Sequence, residues 1–236
     1  MNPQDDIESW NIFPDHRVWH NKLWLSMKLG HRCGPAGIQV PESGEYVVRP
    51  IYNLMGMGLG AKIMFLRPDF KHCQVPPGHF WCEKFEGPHY SADFEWSHLQ
   101  DGLWGWTQVD CWRGYNNPQL WRFTKWEKVR DVTIETPWFF SKLGWNWNMR
   151  YINVETMGDK IIEVHLRRSP DPHEGHEVLI PIWQGDDISS YMREGYKYIE
   201  SYDDADGQLP IPRSVSYTHL RAHETRHDLV CRLLLE

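Results

Sequence analysis

Two stretches of this chain combine residue types and spacings that could do chemistry. The first runs from His79 to Trp96, HFWCEKFEGPHYSADFEW. Phe80, Trp81 and Cys82 read as a short buried strand, Glu83 to Gly87 as a polar break at a Gly-Pro turn, and Tyr90 to Phe94 as a second strand with alternating faces. Such an elbow leaves backbone N–H and C=O groups unpaired at the mouth of a sheet, with acidic side chains beside them. A flat heteroaromatic ring bearing a sugar could use both kinds of group; an ordinary hairpin with a solvated tip reads the same way. The second stretch is NLMGMGLGAKIMF, where Gly56, Gly58 and Gly60 alternate ahead of a strand. Glycines so placed let backbone amides approach a ligand or make a tight turn. Two other clusters carry less. His72, Cys73, His79 and Cys82 are zinc-ligand types, but their spacing matches no standard structural site. Asp203, Asp204 and Asp206 form an acidic loop without the full spacing of a calcium loop, which reads as solvated.

These stretches must be held by regular elements. Met1 to Asp15 is polar and Pro-containing, the pattern of a loosely held lead-in. Val18 to Leu29 places Leu23, Trp24 and Met27 at helical spacing, with Gly30 as the stop. A Gly/Pro-punctuated loop then leads to the strand Tyr46 to Arg49, which Pro50 ends, and Lys62 to Leu66 is the next strand. Leu103 to Val109 alternates as a strand, Gln119 to Val129 reads as a helix, and Pro137 to Leu143 as a helical turn. Arg150 to Glu155 and Lys160 to Leu166, joined by Met157-Gly158-Asp159, form a hairpin. Leu179 to Trp183 is a further strand and Ile188 to Ile199 the last helix.

The chain has 236 residues, 41% hydrophobic and 24% charged, a soluble globular balance large enough for one substantial core or two small lobes. No apolar run approaches the roughly 20 residues that cross a bilayer, and the acidic start MNPQDDIESW is unlike a secretory signal, so a cytoplasmic protein without a membrane partner is expected. The net charge of -7 argues against a nucleic-acid partner, which wants clustered Lys and Arg. Five cysteines without a CxxC pair argue against a disulfide framework. Fourteen tryptophans suit either a core built from large rings or a carbohydrate-stacking face.

Taken in order, several short runs between about residues 20 and 168 resemble the ATP-grasp superfamily. They are Asn21-Lys22, GIQVP at Gly37 to Pro41, VVRP at Val47 to Pro50, MGMGLGA at Met55 to Ala61, EKFEGPHYSAD at Glu83 to Asp93, and IIEVHLR at Ile161 to Arg167. The resemblance implies an α+β, ATP-grasp-like fold: two small lobes of antiparallel sheet with packed helices and a nucleotide held between them. It implies ATP and Mg²⁺ as cofactors. The reaction would activate a small-molecule or peptide carboxylate as an acyl phosphate for attack by an amine acceptor. Under it, Lys22 and Arg49 neutralise phosphate charge, Arg49 standing where the family uses a lysine. Gly56, Gly58 and Gly60 close over the phosphates, and Glu83 and Phe85 sit at the adenine hinge. Glu163 holds magnesium as a hard oxygen ligand, and Arg167 steadies the transferring group.

Departures from the pattern qualify this. The acid that would bind the ribose is His89, with Glu86 close by as a substitute. The family's metal asparagine is His165, and its upstream metal aspartate is Asn153 or, two residues on, Glu155. Imidazole is a poorer Mg²⁺ ligand than oxygen, so two carboxylates, Glu155 and Glu163, would share the metal, or the protein binds a nucleotide without turnover. A Trp-lined carbohydrate-binding module is a further reading. The organisation expected is a lead-in at 1–17, one ATP-grasp-like domain at 18–212, and a non-native tail at 213–236. In that tail VSYTHLRAHET and LVCRLLL resemble the in-frame translation of a sequencing adapter and the primer following it, as in a gene read from environmental shotgun sequence.

Overall fold

The computed structural model describes residues 2–54, 58–68, 74–99, 102–116, 120, 122–144, 149–170, 175–183, 187, 189–194, 196–199 and 213–219. Contacts divide the chain into two compact units, Met1–Pro170 and Asp171–Glu236.

The first unit opens on helix α1 (Asp6–Ile12) rather than the expected loose lead-in. Its start is a reciprocal cap: Asp5 Oδ1 accepts from Glu8 N at 2.7 Å, and Glu8 Oε2 accepts from Gln4 N at 2.7 Å. The helix expected over Val18–Leu29 is interrupted. A 3-10 helix (Pro14–His20) runs to Asn21, which caps α2 (Lys22–Lys28) by accepting from Trp24 N at 2.8 Å. An asparagine competes for backbone hydrogen bonds, so it restarts a helix more readily than it continues one.

Four strands follow as one antiparallel sheet: β1 (Cys33–Pro35), β2 (Gly44–Pro50), β3 (Lys62–Leu66) and β4 (His79–Glu83), in the order β1-β4-β2-β3. Tyr46, Val48, Leu66 and Trp81 make its buried side with Val40 and Val75. Gly34 is required there, since a Cβ would lie 2.8 Å from the Trp81 ring.

The second sheet of this unit contains β5 (His89–His98), β6 (Trp104–Asn116), β7 (Phe123–Lys128), β8 (Tyr151–Met157) and β9 (Lys160–His165), ordered β7-β6-β5-β8-β9 and antiparallel. Strand β7 replaces the helix expected over Gln119–Val129. FTKWEK has no clean two-residue alternation of its own, and pairing with β6 makes it a strand. Ala92, Phe94, Ile152, Val154 and Val164 on one face meet Phe13, Trp19, Leu25, Phe140 and Leu143 in the main core. Each large side chain buried there contributes about 1.5–3 kcal/mol. Phe140 is in the 3-10 turn Trp138–Phe140, which continues into α3 (Ser141–Gly144), as expected for that stretch.

The second unit has β10 (Val178–Trp183), α4 (Ser189–Arg193), β11 (Tyr196–Ile199) and β12 (Arg213–His219), its strands ordered β11-β12-β10. The single helix expected over Ile188–Ile199 is thus a short helix and then a strand, with the helix breaker Gly195 between them in sequence. The adapter-like run begins within β12; the rest of that tail and the acidic loop at Asp203, Asp204 and Asp206 lie outside the described residues. The overall class is α+β, two antiparallel sheets with a few short helices in the first unit and a small sheet in the second. No helix among the described residues is long and apolar enough to cross a membrane.

Candidate functional site

The site is built on the β8–β9 hairpin. Its register sets Glu155 opposite Glu163 and Asn153 opposite His165. The two-residue period puts Asn153, Glu155, Glu163 and His165 on one face, opposite the face that carries Val154 and Val164 into the core. Gly158 makes the turn at φ +59°, and a Cβ there would sit 2.8 Å from the Glu86 carbonyl. Gly158 N also donates to Pro88 O at 2.8 Å. The hairpin tip is therefore fastened to the elbow between β4 and β5.

Two carboxylates facing each other across a strand pair repel unless basic groups lie close to them. His165 reaches both, while Lys22 and His89 reach one each. Lys22, at the first turn of α2, places Nζ 2.5 Å from Glu163 Oε1. His165 Nε2 lies 3.5 Å from Glu155 Oε1 and 3.7 Å from Glu163 Oε1. His89 Nε2 lies 3.3 Å from Glu155 Oε2. One ligand atom from each of Glu155, Glu163 and His165 falls within 4.8 Å of the others, a grouping able to hold a metal ion.

Behind this face stands Asp6, a buried acid on α1. Its Oδ2 is 2.8 Å from His165 Nδ1, and Arg167 donates to it through Nε at 2.9 Å and a terminal nitrogen at 3.2 Å. Burial alone would raise the Asp6 carboxyl, but Arg167 and His165 outweigh it and hold it well below the usual carboxylate range. Burial likewise works against charge on His165, yet Asp6 and Glu163 push its ring up to about 9, against the opposing field of Arg167. Glu155 is pulled well below its ordinary value by both imidazoles, against burial. His20, near the same acids, goes the other way: burial dominates and lowers it to about 4. The cluster thus sets the acids Asp6, Glu155 and Glu163 against the basic groups Lys22, His165 and Arg167.

Arg49, on β2, joins from the other sheet. A terminal nitrogen donates to Ile162 O at 2.9 Å, and the guanidinium lies over the Phe80 ring at 5.2 Å. The residue is 9% exposed, and its buried Nε has no hydrogen-bond partner. Lys22 N donates to Ile51 O at 2.9 Å, which ties α2 to the end of β2. Lys22, Arg49, Glu155, Glu163, His165 and Arg167 are therefore brought together.

The remaining sequence candidates lie elsewhere or are otherwise engaged. Asn153 donates to Ser91 Oγ and Asp93 Oδ1, both at 2.9 Å. The pairing of Glu83 with Tyr46 and of Phe80 with Arg49 puts Glu83 and Arg49 on opposite faces of the four-stranded sheet. The Glu83 carboxylate accepts from Arg32 N at 2.8 Å. Phe85 packs edge-on against His31 at 4.7 Å, and Glu86, its side chain 82% exposed, lies 3.4 Å from Lys84. His89 is buried against Phe123 and Trp126, with ring centroids at 4.9 and 5.6 Å. Gly58 and Gly60 take positive φ in the turn before β3, while Gly56 lies outside the described residues. Of the zinc-type cluster, His72 and Cys73 also lie outside them, and His79 and Cys82 point to opposite faces of β4. Among the described tryptophans, only Trp104 and Trp138 are exposed.

Sequence reasoning missed Asp6 and His20. Asp5 with Glu8 three residues on is a helix-start signature that would have placed Asp6 in a first turn. Nothing local says that this turn meets His165, 159 residues away.

No protein-family model and no curated protein matches the sequence. Among solved structures, the chain is similar to a protein from Archaeoglobus fulgidus assigned to the ATP-grasp superfamily, at 14% identity and a TM-score of 0.45, over 87% of this chain and 65% of that one. It is also similar to an L-amino acid ligase from Bacillus licheniformis, at 10% identity and 0.48, over 92% and 71%. A third is N5-carboxyaminoimidazole synthetase from Staphylococcus aureus, at 10% and 0.49, over 85% and 66%. The chain thus spans roughly two thirds of the length of these structures. At these identities and scores the likeness assigns no residue a role.

Proposed function

We propose that this chain binds ATP at the face of the β8–β9 hairpin and is an ATP-dependent, ligase-like protein that activates a carboxylate for attack by an amine. The observation that carries this reading is the meeting of Glu155, Glu163 and His165 within 4.8 Å, beside Lys22 and Arg49. The donor set fits Mg²⁺ through its oxygens, because that ion takes one or two carboxylates and completes its shell with phosphates and water. Glu155 and Glu163 would be the two ligands; His165 is committed to Asp6 through Nδ1. Bound ATP supplies the γ-phosphoryl group, which passes to a carboxylate oxygen with loss of ADP, and the amine then displaces phosphate to leave an amide.

The chain's own residues act through charge and position. Lys22, now paired with Glu163, would be free to meet phosphate oxygens if Glu163 held a divalent ion instead. Arg49 holds an unused Nε–H next to the same hairpin, in a fork suited to phosphate oxygens. Asp6 keeps Arg167 and His165 fixed, so their positive charge is in place before any anion arrives.

A second reading, nucleotide binding without turnover, is favoured by the Lys22–Glu163 contact, since an internal ammonium already fills the position a metal would take. Calorimetry of ATP binding with and without Mg²⁺ separates the two. The ligase reading expects affinity to rise at least tenfold with Mg²⁺ and this gain to vanish in Glu163→Gln. Equal affinity in both conditions selects the non-catalytic binder, and no ATP binding in either condition overturns both.

A further inference from the structure

The described cysteines Cys33, Cys82 and Cys111 are free thiols, and two of them face each other across a strand pair. In the β1–β4 register Cys33 is directly opposite Cys82. The hydrogen-bond phase of that pair decides what this closeness allows. Glu83 N donates to Arg32 O at 2.9 Å, and Ala36 N donates to His79 O at 3.1 Å. The hydrogen-bonded pairs are therefore 32/83, 34/81 and 36/79, which leaves Cys33/Cys82 as a non-hydrogen-bonded pair. In such pairs the Cα atoms approach to about 4.5 Å and the side chains are closest. That lies at the short end of the Cα separation of about 4.4–6.8 Å that a disulfide spans, so the two thiols are within bridging reach.

We propose that Cys33 and Cys82 form a redox modification site, a cross-strand thiol pair that a small-molecule disulfide such as oxidised glutathione converts to a protein disulfide. The partly exposed Cys33 reacts first. Its thiolate attacks one sulfur of the oxidant, forms a mixed disulfide and expels one thiolate. The buried Cys82 then attacks the Cys33 sulfur and expels the second, so two protein thiols are oxidised and one oxidant disulfide is reduced to two thiols. Burial raises both thiols, Cys82 to about 12, so the exchange is slow at neutral pH and quickens in alkali. This is the behaviour of a pair closed under sustained oxidation, not of a catalytic dithiol. The bridge would tie β1 to the strand that runs into the Glu83–Gly87 elbow. The proposal rests on strand register alone and is independent of any nucleotide.

The test incubates the full chain with oxidised glutathione at mildly alkaline pH and maps the peptides without reduction. A cross-link joining the Cys33 and Cys82 peptides is expected, with a loss of two hydrogens and a melting temperature higher by about 10 °C, since a loop of 49 residues is closed. Cys82→Ser should instead trap glutathione on Cys33, and Cys33→Ser should leave Cys82 a thiol. The wild-type map needs no variant to fold. Two free thiols after oxidation, or a bond from either cysteine to a different partner, overturns the proposal.

Discussion

The two sheets of the first unit both carry acid–base pairs, but they bury them differently. On the four-stranded sheet Arg32 bridges Glu42 at 2.9 Å and Glu83 at 3.4 Å, and Lys84 meets Glu45 at 2.9 Å, all near solvent. On the β8–β9 face, and on the helices that cover it, Asp6, Lys22, His165 and Arg167 are buried and make contacts of 2.5 to 2.9 Å. Burial separates the two regions more than distance does. Exposed pairs gain little because water competes for each partner, whereas a buried charge that loses its partner has nothing to replace it. Asp6, Lys22, His165 and Arg167 therefore depend on one another in a way that the exposed pairs do not.

Removing one shared acid should break this contrast most sharply. Asp6→Ala leaves the Arg167 guanidinium and the His165 ring without their buried partner, and a loss of about 3–5 kcal/mol in urea unfolding is expected. A loss below about 1 kcal/mol would mean that water already reaches the cluster.

Next in size is a pH effect with a defined sign. His165 is raised to about 9, so the folded chain keeps a proton that the unfolded chain releases; this stability is complete below about 6.5 and lost as pH climbs through 9. His20 is depressed to about 4, so its contribution is present above 6.5 and lost as pH falls through 4. Together they predict a maximum near pH 6.5, each limb on the order of 2–3 kcal/mol, read from urea midpoints across pH 4 to 10. In His165→Gln the alkaline limb should flatten while the acid limb, caused chiefly by burial of His20, shrinks only in part; an unchanged alkaline limb would assign it to another group.

The smallest effect belongs to the exposed sheet. Glu42→Ala removes a surface contact to Arg32 and should shift the urea midpoint far less than Asp6→Ala does, with the remaining shift shrinking in high salt. A cost equal to that of Asp6→Ala would erase the distinction between the two regions.

What could be read without coordinates was local. The β8–β9 hairpin follows from alternation on both sides of Met157-Gly158-Asp159, and β2, β3, β4 and β10 follow from apolar runs bounded by Gly and Pro. Glu155, Glu163 and His165 are grouped through the resemblance of this stretch to the ATP-grasp pattern, and the register of β8 with β9 puts them on one hairpin face. The errors fell where period and composition disagree. Phe123–Lys128 has helix-tolerant lysines and glutamate, but its neighbour β6 made it a strand, since strand pairing is a contact between distant segments and β-propensity depends on that context.

By itself, then, the order of residues determined the β8–β9 hairpin and several of the apolar strands, because these depend on steric periods that act over a few positions. Tertiary structure alone decided that Asp6 lies under His165, that Lys22 is spent on Glu163, and that Glu83 faces away from Arg49. Those outcomes turn on which charges must find partners once water is excluded, and that pairing is settled between segments more than a hundred residues apart.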